Sequence, residues 1–307
     1  MSQVFPAVTI DAHLHLGLLG FTPDGIIRYL DQHRLDKCWL MTWEEESPAR
    51  ASYVHCSADD VLAEHRRHPG RIVPMYAPDP RREDATAAVA GLRDRGFRGC
   101  AELKTTLDWQ SPEMRDYLAA VAATGLPLLF HMEAASVRLE ALESDGPLSR
   151  LLARAWNSER LGGFPARLAR LLGRGPLAGW RRRRSTRLPA YLPGFASLEL
   201  ALRSFPGLAF IGHGPLFWRH VITGGATVRL MTDYPNLYID TSAVSGFRGL
   251  SRNPAFAREL LTRFKDRVLF GTDNRVLGQL GFLESLGLEP DALGLILGGN
   301  ACRLVGE

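Results

Sequence analysis

Eight short aliphatic runs recur along this chain with room for a helix between most neighbours. They are Val8 to His15, Lys37 to Trp43, Ile72 to Ala77, Gly99 to Lys104, Pro127 to His131, Leu208 to His213, Leu237 to Asp240 and Val268 to Asp273. Runs of this length, bounded by turn residues, read as strands. Several intervening segments open with helix-start chemistry: Ser57 before Ala-Asp-Asp, Ser111-Pro112-Glu113, and Asn253-Pro254. Regular alternation of strand and helix requires parallel strands joined by helical crossovers. Eight such units in 307 residues predict an α/β fold closed into a (β/α)8 TIM-like barrel rather than an open sheet.

One interval breaks the rhythm. About eighty residues separate His131 from His213, far more than one crossover needs. An Arg-rich insertion between strands five and six, centred on 145–193, is therefore expected within a single domain spanning 1–307, as a lid or an interaction segment. Residues 150–187 hold eleven Arg against one Glu, while the whole chain is only +4, so the rest of the chain is net acidic. High pI is thus a property of one segment. The four cysteines, Cys38, Cys56, Cys100 and Cys302, are dispersed with no CxxC pair, which argues against a disulfide framework and a thiolate zinc site. The apolar stretch from Tyr117 to Phe130 is too short for a bilayer and contains Gly125 and Pro127, so no membrane span is expected. A strand-like run so soon after Met1 leaves no room for a secretory leader, and a cytoplasmic location is the expectation.

The chemistry is concentrated at strand ends. Asp11-Ala-His13-Leu-His15 places two imidazoles two residues apart in an extended segment, on one face of the strand. Pro-Leu-Leu-Phe-His131, Phe-Ile-Gly-His213 and Leu-Phe-Gly-Thr-Asp273 each finish an apolar run with a polar side chain. The carboxyl ends of barrel strands are where such enzymes build their sites. Imidazole and carboxylate donors gathered there suit a divalent metal, zinc first, with manganese or iron as alternatives. In Gly99-Cys-Ala-Glu102-Leu-Lys104, an acid and a base share one face of strand four; they either pair inside the barrel or ligate metal.

These motifs, with the closing Ile296-Leu-Gly-Gly-Asn300-Ala-Cys-Arg-Leu304, resemble the amidohydrolase-related branch of the amidohydrolase superfamily. That branch includes decarboxylases similar to aminocarboxymuconate-semialdehyde decarboxylase, and lactone hydrolases. The resemblance covers the chain apart from the Arg-rich segment. It implies that His13, His15, His131 and Asp273 are metal ligands, and that His213 is a ligand or an acid/base beside the metal. It also implies one or two ions, with Glu102, or a carboxylated Lys104, as the bridge in the two-ion case.

The expected function is a metal-dependent hydrolase acting on a lactone, ester or amide C–O or C–N bond, with metal-activated water and Asp273 as general base. The alternatives are a metal-dependent non-oxidative decarboxylase and, from another class, a non-catalytic scaffold binding nucleic acid through Arg181 to Arg184. The last lacks the aromatics and groove-binding element that nucleic-acid modules carry. Trp43, Glu44, Lys104, Glu133, Trp218 and Arg248 lie at or just beyond strand ends and are the candidate substrate contacts. Expected partners are a small-molecule substrate, anionic if the arginines steer it, and a second copy of the chain in a homodimer.

Overall fold

The computed structural model describes residues 8–44, 56–133, 136–139, 185–188, 194–222 and 224–307. The eight expected strands all form. They are β1 (Ile10–His15), β2 (Lys37–Trp43), β3 (Ile72–Ala77), β4 (Cys100–Leu103), β5 (Leu128–His131), β8 (Phe210–His213), β9 (Leu237–Asp240) and β10 (Val268–Leu269). All pairings among them are parallel, in the orders β1-β2-β3 and β10-β9-β8-β5-β4. A bridge between Met75 and Gly99 joins β3 to β4. At the other seam Ala12 N–H donates to Phe270 O at 2.9 Å, and Asp273 N–H to His13 O at 2.8 Å. The sheet is thus a closed ring, with the (β/α)8 order that alternation predicts.

The helix starts read from sequence are present as caps. Ser57 and Asp60 form a reciprocal capping box on the helix Ala58–Arg67, and Ser111 and Asn253 cap Pro112–Thr124 and Pro254–Arg263. Between β5 and β8, the short strands β6 (Ser136–Leu139) and β7 (Ser185–Leu188) pair antiparallel. The rest of the expected 145–193 insertion, Arg181 to Arg184 included, lies outside the described residues. No described helix is long and apolar enough to cross a membrane.

Side chains inside the ring form two layers of opposite character. The lower is apolar: Ile10, Ala12, Trp39, Met41, Val73, Met75, Ala101, Leu129, Ile211 and Leu269 form one buried cluster. Ala301 and Val305, from the last helix Asn300–Val305, belong to the same cluster. The upper layer carries His13, His15, Glu102, His131, His213 and Asp240. Simple alternation gives this change of layer on β5, β8 and β9, where Leu129, Ile211 and Tyr238 precede His131, His213 and Asp240 by two residues.

On β1 and β4 alternation alone would fail, because Ala12 and His13 are neighbours and so are Ala101 and Glu102. Each strand solves this with one extra residue. Pairing runs Asp11↔Cys38 then Leu14↔Leu40, and Cys100↔Leu128 then Leu103↔Phe130, so three steps on one strand face two on its partner. Such a bulge resets the phase, letting an apolar and a polar side chain both face the axis in succession. Asp11, in opposite phase, turns outward and accepts from Tyr29 Oη (2.7 Å) and Thr272 Oγ1 (2.6 Å), tying β1, the helix Pro23–Gln32 and the segment after β10 together.

The carboxyl-terminal segment seals the lower end. Ile296 O accepts from Phe270 N–H at 2.9 Å, and Asn300 Nδ2 donates to Lys265 O (2.7 Å) and Val268 O (2.8 Å). A Cβ on Gly298 would overlap the carbonyl oxygen of Val8, so only glycine lets this turn meet the start of β1. Gly298→Ala is therefore expected to lower stability by about 1–3 kcal/mol. Gly281→Ala, in the helix Gln279–Ser285 with nothing within 4 Å of the added methyl, should raise it by roughly 0.5–1 kcal/mol. Denaturant unfolding of the two variants beside the parent checks both signs.

Candidate metal centre

Four donor atoms from three strand ends meet above the apolar layer. His13 Nε2 and His15 Nε2 are 3.1 Å apart. Glu102 Oε2 lies 3.3 Å from His15 Nε2 and 4.0 Å from His13 Nε2, and Asp273 Oδ1 lies 3.4 and 3.9 Å from the same two atoms. A tetrahedron with metal–ligand bonds of about 2.1 Å has edges of about 3.4 Å, the middle of the range these contacts span. The ligand atoms of His13, His15 and Asp273 lie within 4.8 Å of one another, as do those of His13, Glu102 and His213; His13 is common to both groups, and Glu102 Oε2 also approaches His15 Nε2 at 3.3 Å.

The histidines are aimed from behind. Asp240, fully buried, takes His13 Nδ1 on Oδ2 at 2.6 Å and His213 Nδ1 on Oδ1 at 3.0 Å. Ser242 Oγ donates to Asp240 Oδ1 at 2.6 Å and lies 2.7 Å from His213 Nδ1. Because a carboxylate only accepts, both rings carry their proton on Nδ1 and turn Nε2 toward the cage. Trp218 Nε1 donates to Asp240 O at 3.0 Å, holding the backbone of that residue as well. Gly271 keeps room for His13, whose Cβ would stand 3.0 Å from a Cβ at that position.

Charge is out of balance in this space. Glu102, Asp240, Asp273 and, at the rim, Glu133 are carboxylates facing it; Lys104 is the one buried ammonium among the described residues, and the Arg275 guanidinium lies 3.9 Å from Asp273 Oδ2. Lys104 Nζ is 3.0 Å from the buried Glu102 Oε2, forming an ion pair with it. Two negative charges therefore remain to be met by protons on imidazoles or by a divalent ion, since buried uncompensated charge is expensive. Burial alone would pull the His13 imidazole down. Asp240 beside it more than offsets that and pushes it up to about 9. His15, where burial dominates, falls to about 4. Burial works against the ionised forms of Asp240 and Glu102, yet His213 and His13 hold the first, and Lys104 and His131 the second, well below the usual carboxylate range. Asp273 is also lowered, by His13, His15, His213 and Arg275 against the effect of burial. The donor set thus fits a divalent cation in charge, atom type and spacing.

The residues singled out from sequence are not all brought together. His13, His15, Glu102, His213 and Asp273 converge. His131 stands one carboxylate away, with Nδ1 2.9 Å from Glu102 Oε1 and Nε2 3.1 Å from Glu133 Oε2. Lys104, His131, Glu133 and Asp273 keep small exposed fractions, 7 to 16% of their side chains, and so mark the opening.

Trp218, expected to face substrate, is instead 1% exposed beneath the helix Ala243–Ser251, where Gly246 and Gly249 make room for its ring. Glu44 is likewise turned from substrate to structure. Its carboxylate accepts from Tyr76 Oη, from Arg82 Nη1 at 2.6 Å and from Asp79 N–H at 2.8 Å. Arg248 is exposed on the helix that covers Trp218. Trp43 ends β2, and its side chain lies outside the described residues.

Sequence reasoning missed Asp240, Ser242 and Asn274. The signal for Asp240 was present, because Leu-Tyr-Ile-Asp240 ends an apolar run just as His131 and His213 do.

Comparison with known proteins places this architecture. The amidohydrolase family profile matches residues 10–306. No curated protein matches the sequence. Among solved structures, an uncharacterised TIM-barrel protein from Bordetella bronchiseptica is similar, with TM-score 0.60, 16% identity and coverage of 97% of this chain and 99% of that one. A probable 2-pyrone-4,6-dicarboxylic acid hydrolase from Acinetobacter baumannii, with citric acid bound, gives 0.58, 13%, 98% and 100%. The 5-carboxyvanillate decarboxylase of Sphingomonas paucimobilis gives 0.57, 14%, 98% and 99%.

The raised His13 gives a pH dependence of definite sign. A histidine whose folded pKa is about 9 against an ordinary 6.5 adds stability that is complete below pH 6.5 and lost as pH rises through 9. Chelator-treated protein is expected to show this loss in thermal unfolding between pH 6.5 and 9. In Asp240→Asn the slope in that window should disappear, and the His13 ring should titrate below 6.5 by NMR.

Proposed function

This chain belongs to the amidohydrolase family, and on that premise we propose that it is a metal-dependent hydrolase of a small organic substrate, opening a lactone, ester or amide bond. The observation that carries the reading is the convergence of imidazole and carboxylate donors around two negative charges that Lys104 and Arg275 leave unbalanced. In it His13, His15, Glu102 and Asp273 would hold a divalent ion, zinc or manganese. Glu102 would be shared with a second ion near His213 if two are bound. Such an ion supplies activation of water near neutral pH and polarisation of a carbonyl oxygen.

The chain's own residues do the rest. Asp273 stands at the opening with Oδ1 turned inward, where it accepts the proton of the attacking water and returns it to the leaving group. His213, its Nδ1 proton fixed by Asp240, presents Nε2 to the same space beside Glu102 Oε1, 3.8 Å away. Lys104 and His131 line the entry beside Glu102. With a divalent ion in the cage, the Lys104 ammonium favours a substrate carrying a carboxylate.

That same lysine, only 7% exposed, supports a second reading as a decarboxylase, in which a substrate carboxylate is the group that leaves. The fold shared with 5-carboxyvanillate decarboxylase and with a probable 2-pyrone-4,6-dicarboxylic acid hydrolase is compatible with either reaction.

Elemental analysis of the purified protein should find one or two equivalents of a divalent metal. Asp273→Asn is expected to lower kcat by about 10²–10⁴-fold with the fold and thermal transition retained. Incubation with a panel of lactones, esters and carboxylated aromatics distinguishes the reactions: acid release with uptake of water supports the hydrolase, and carbon dioxide release without it supports the decarboxylase. Full activity in metal-free protein would sink both.

A further inference from the structure

Asn274 directly follows Asp273, and its side chain does what a neighbouring strand would do. It is fully buried. Its Oδ1 accepts from His15 N–H at 2.7 Å, and its Nδ2 donates to His15 O at 2.9 Å and to Leu18 O at 3.4 Å. One residue earlier, Asp273 N–H donates to His13 O at 2.8 Å. The segment after β10 therefore continues the seam with β1 by two successive devices, a main-chain bond to His13 and a side-chain amide gripping both polar groups of His15. Both Asp273 and Asn274 sit in the left-handed region, at φ 53° and 55°, a conformation that Asp and Asn tolerate better than other non-glycine residues. Backbone held in that region by surrounding contacts is characteristic of sites where position matters more than local comfort.

We infer that Asn274 is a positioning residue that sets the spacing between His15 and Asp273, and thereby the affinity of the site for its cation. The inference rests on the metal-centre reading above. His15 Nε2 and Asp273 Oδ1 are 3.4 Å apart although 258 positions separate them in sequence. They belong to different segments, and the Asn274 amide joins those segments next to both donors. Its third contact, to Leu18 O, extends the grip to the loop leaving β1, so the same side chain fixes how that loop departs from the site. Outer-shell residues that aim ligands typically govern metal affinity by about 10–100-fold.

The test measures binding of Mn²⁺ or Zn²⁺ by chelator competition, alongside thermal unfolding of the metal-free protein. Asn274→Gly keeps the left-handed backbone accessible and removes only the clamp; the dissociation constant is expected to rise 10–100-fold. Asn274→Asp preserves the acceptor for His15 N–H but sets an oxygen against the carbonyls of His15 and Leu18. It should weaken binding in the same direction, and it serves if the glycine variant does not fold.

Asn236→Ala is the control for general loss of stability. Asn236 Nδ2 donates to Leu202 O, Phe205 O and Leu208 O, at the opposite end of the barrel strands. It should lower the transition temperature with metal affinity unchanged. Parental affinity in Asn274→Gly, or an equal loss in Asn236→Ala, overturns the clamp while leaving the metal centre standing. A parent protein that takes up neither ion, with His13→Gln indistinguishable from it, overturns the metal-centre reading and the clamp together.

Discussion

The upper half of this barrel is organised around negative charge that its lysine and arginine do not balance. Four carboxylates face a space that offers one ammonium and one guanidinium, and all of it sits on a largely apolar floor that includes one tryptophan. In such surroundings water cannot disperse the field, so every neighbouring group is recruited to answer it. His13 gains a proton, Lys104 leans on Glu102, and His131 is drawn between two acids. A divalent cation would meet the same demand with a single particle and release those groups for other work.

How the imidazoles are held matters as much as how many there are. One carboxylate, Asp240, serves two rings from different strands and fixes both tautomers at once, with Ser242 completing the arrangement and Trp218 anchoring the main chain behind it. Each element is buried, so little thermal freedom is left to the Nε2 atoms that face the cage. The economy has a corollary: His13 and His213 are coupled, and a disturbance at Asp240 reaches both.

Much of this was legible in the sequence. The strand count and barrel closure followed from the spacing of aliphatic runs, because a parallel strand buried on both faces needs an uninterrupted apolar stretch and its crossover needs a helix. His13, His15, His213 and Asp273 were legible because a polar residue ending such a run must stand at the mouth. The same logic misplaced Trp218 and Glu44, since position along the chain does not say whether a side chain just past a strand turns up toward solvent or back under a helix. Asp240 was overlooked because an acid at a strand end looks like surface until its two histidines are seen. Asn274 left no trace in any pattern, since its role is a backbone-like contact with a residue 259 positions away.

The paired bulges on β1 and β4 separate two jobs that a regular strand would entangle. In an unbroken strand, the phase that puts His13 inward would also turn Ala12 and Ile10 outward or inward as a set, so floor and cage could not be chosen independently. Inserting one residue at the boundary uncouples the registers above and below it. Donors in the upper layer can then be exchanged without disturbing the packing that keeps the barrel closed, and a single-residue deletion at one bulge would turn only that strand's own donors, His13 and His15 on β1 or Glu102 on β4, toward the surrounding helices.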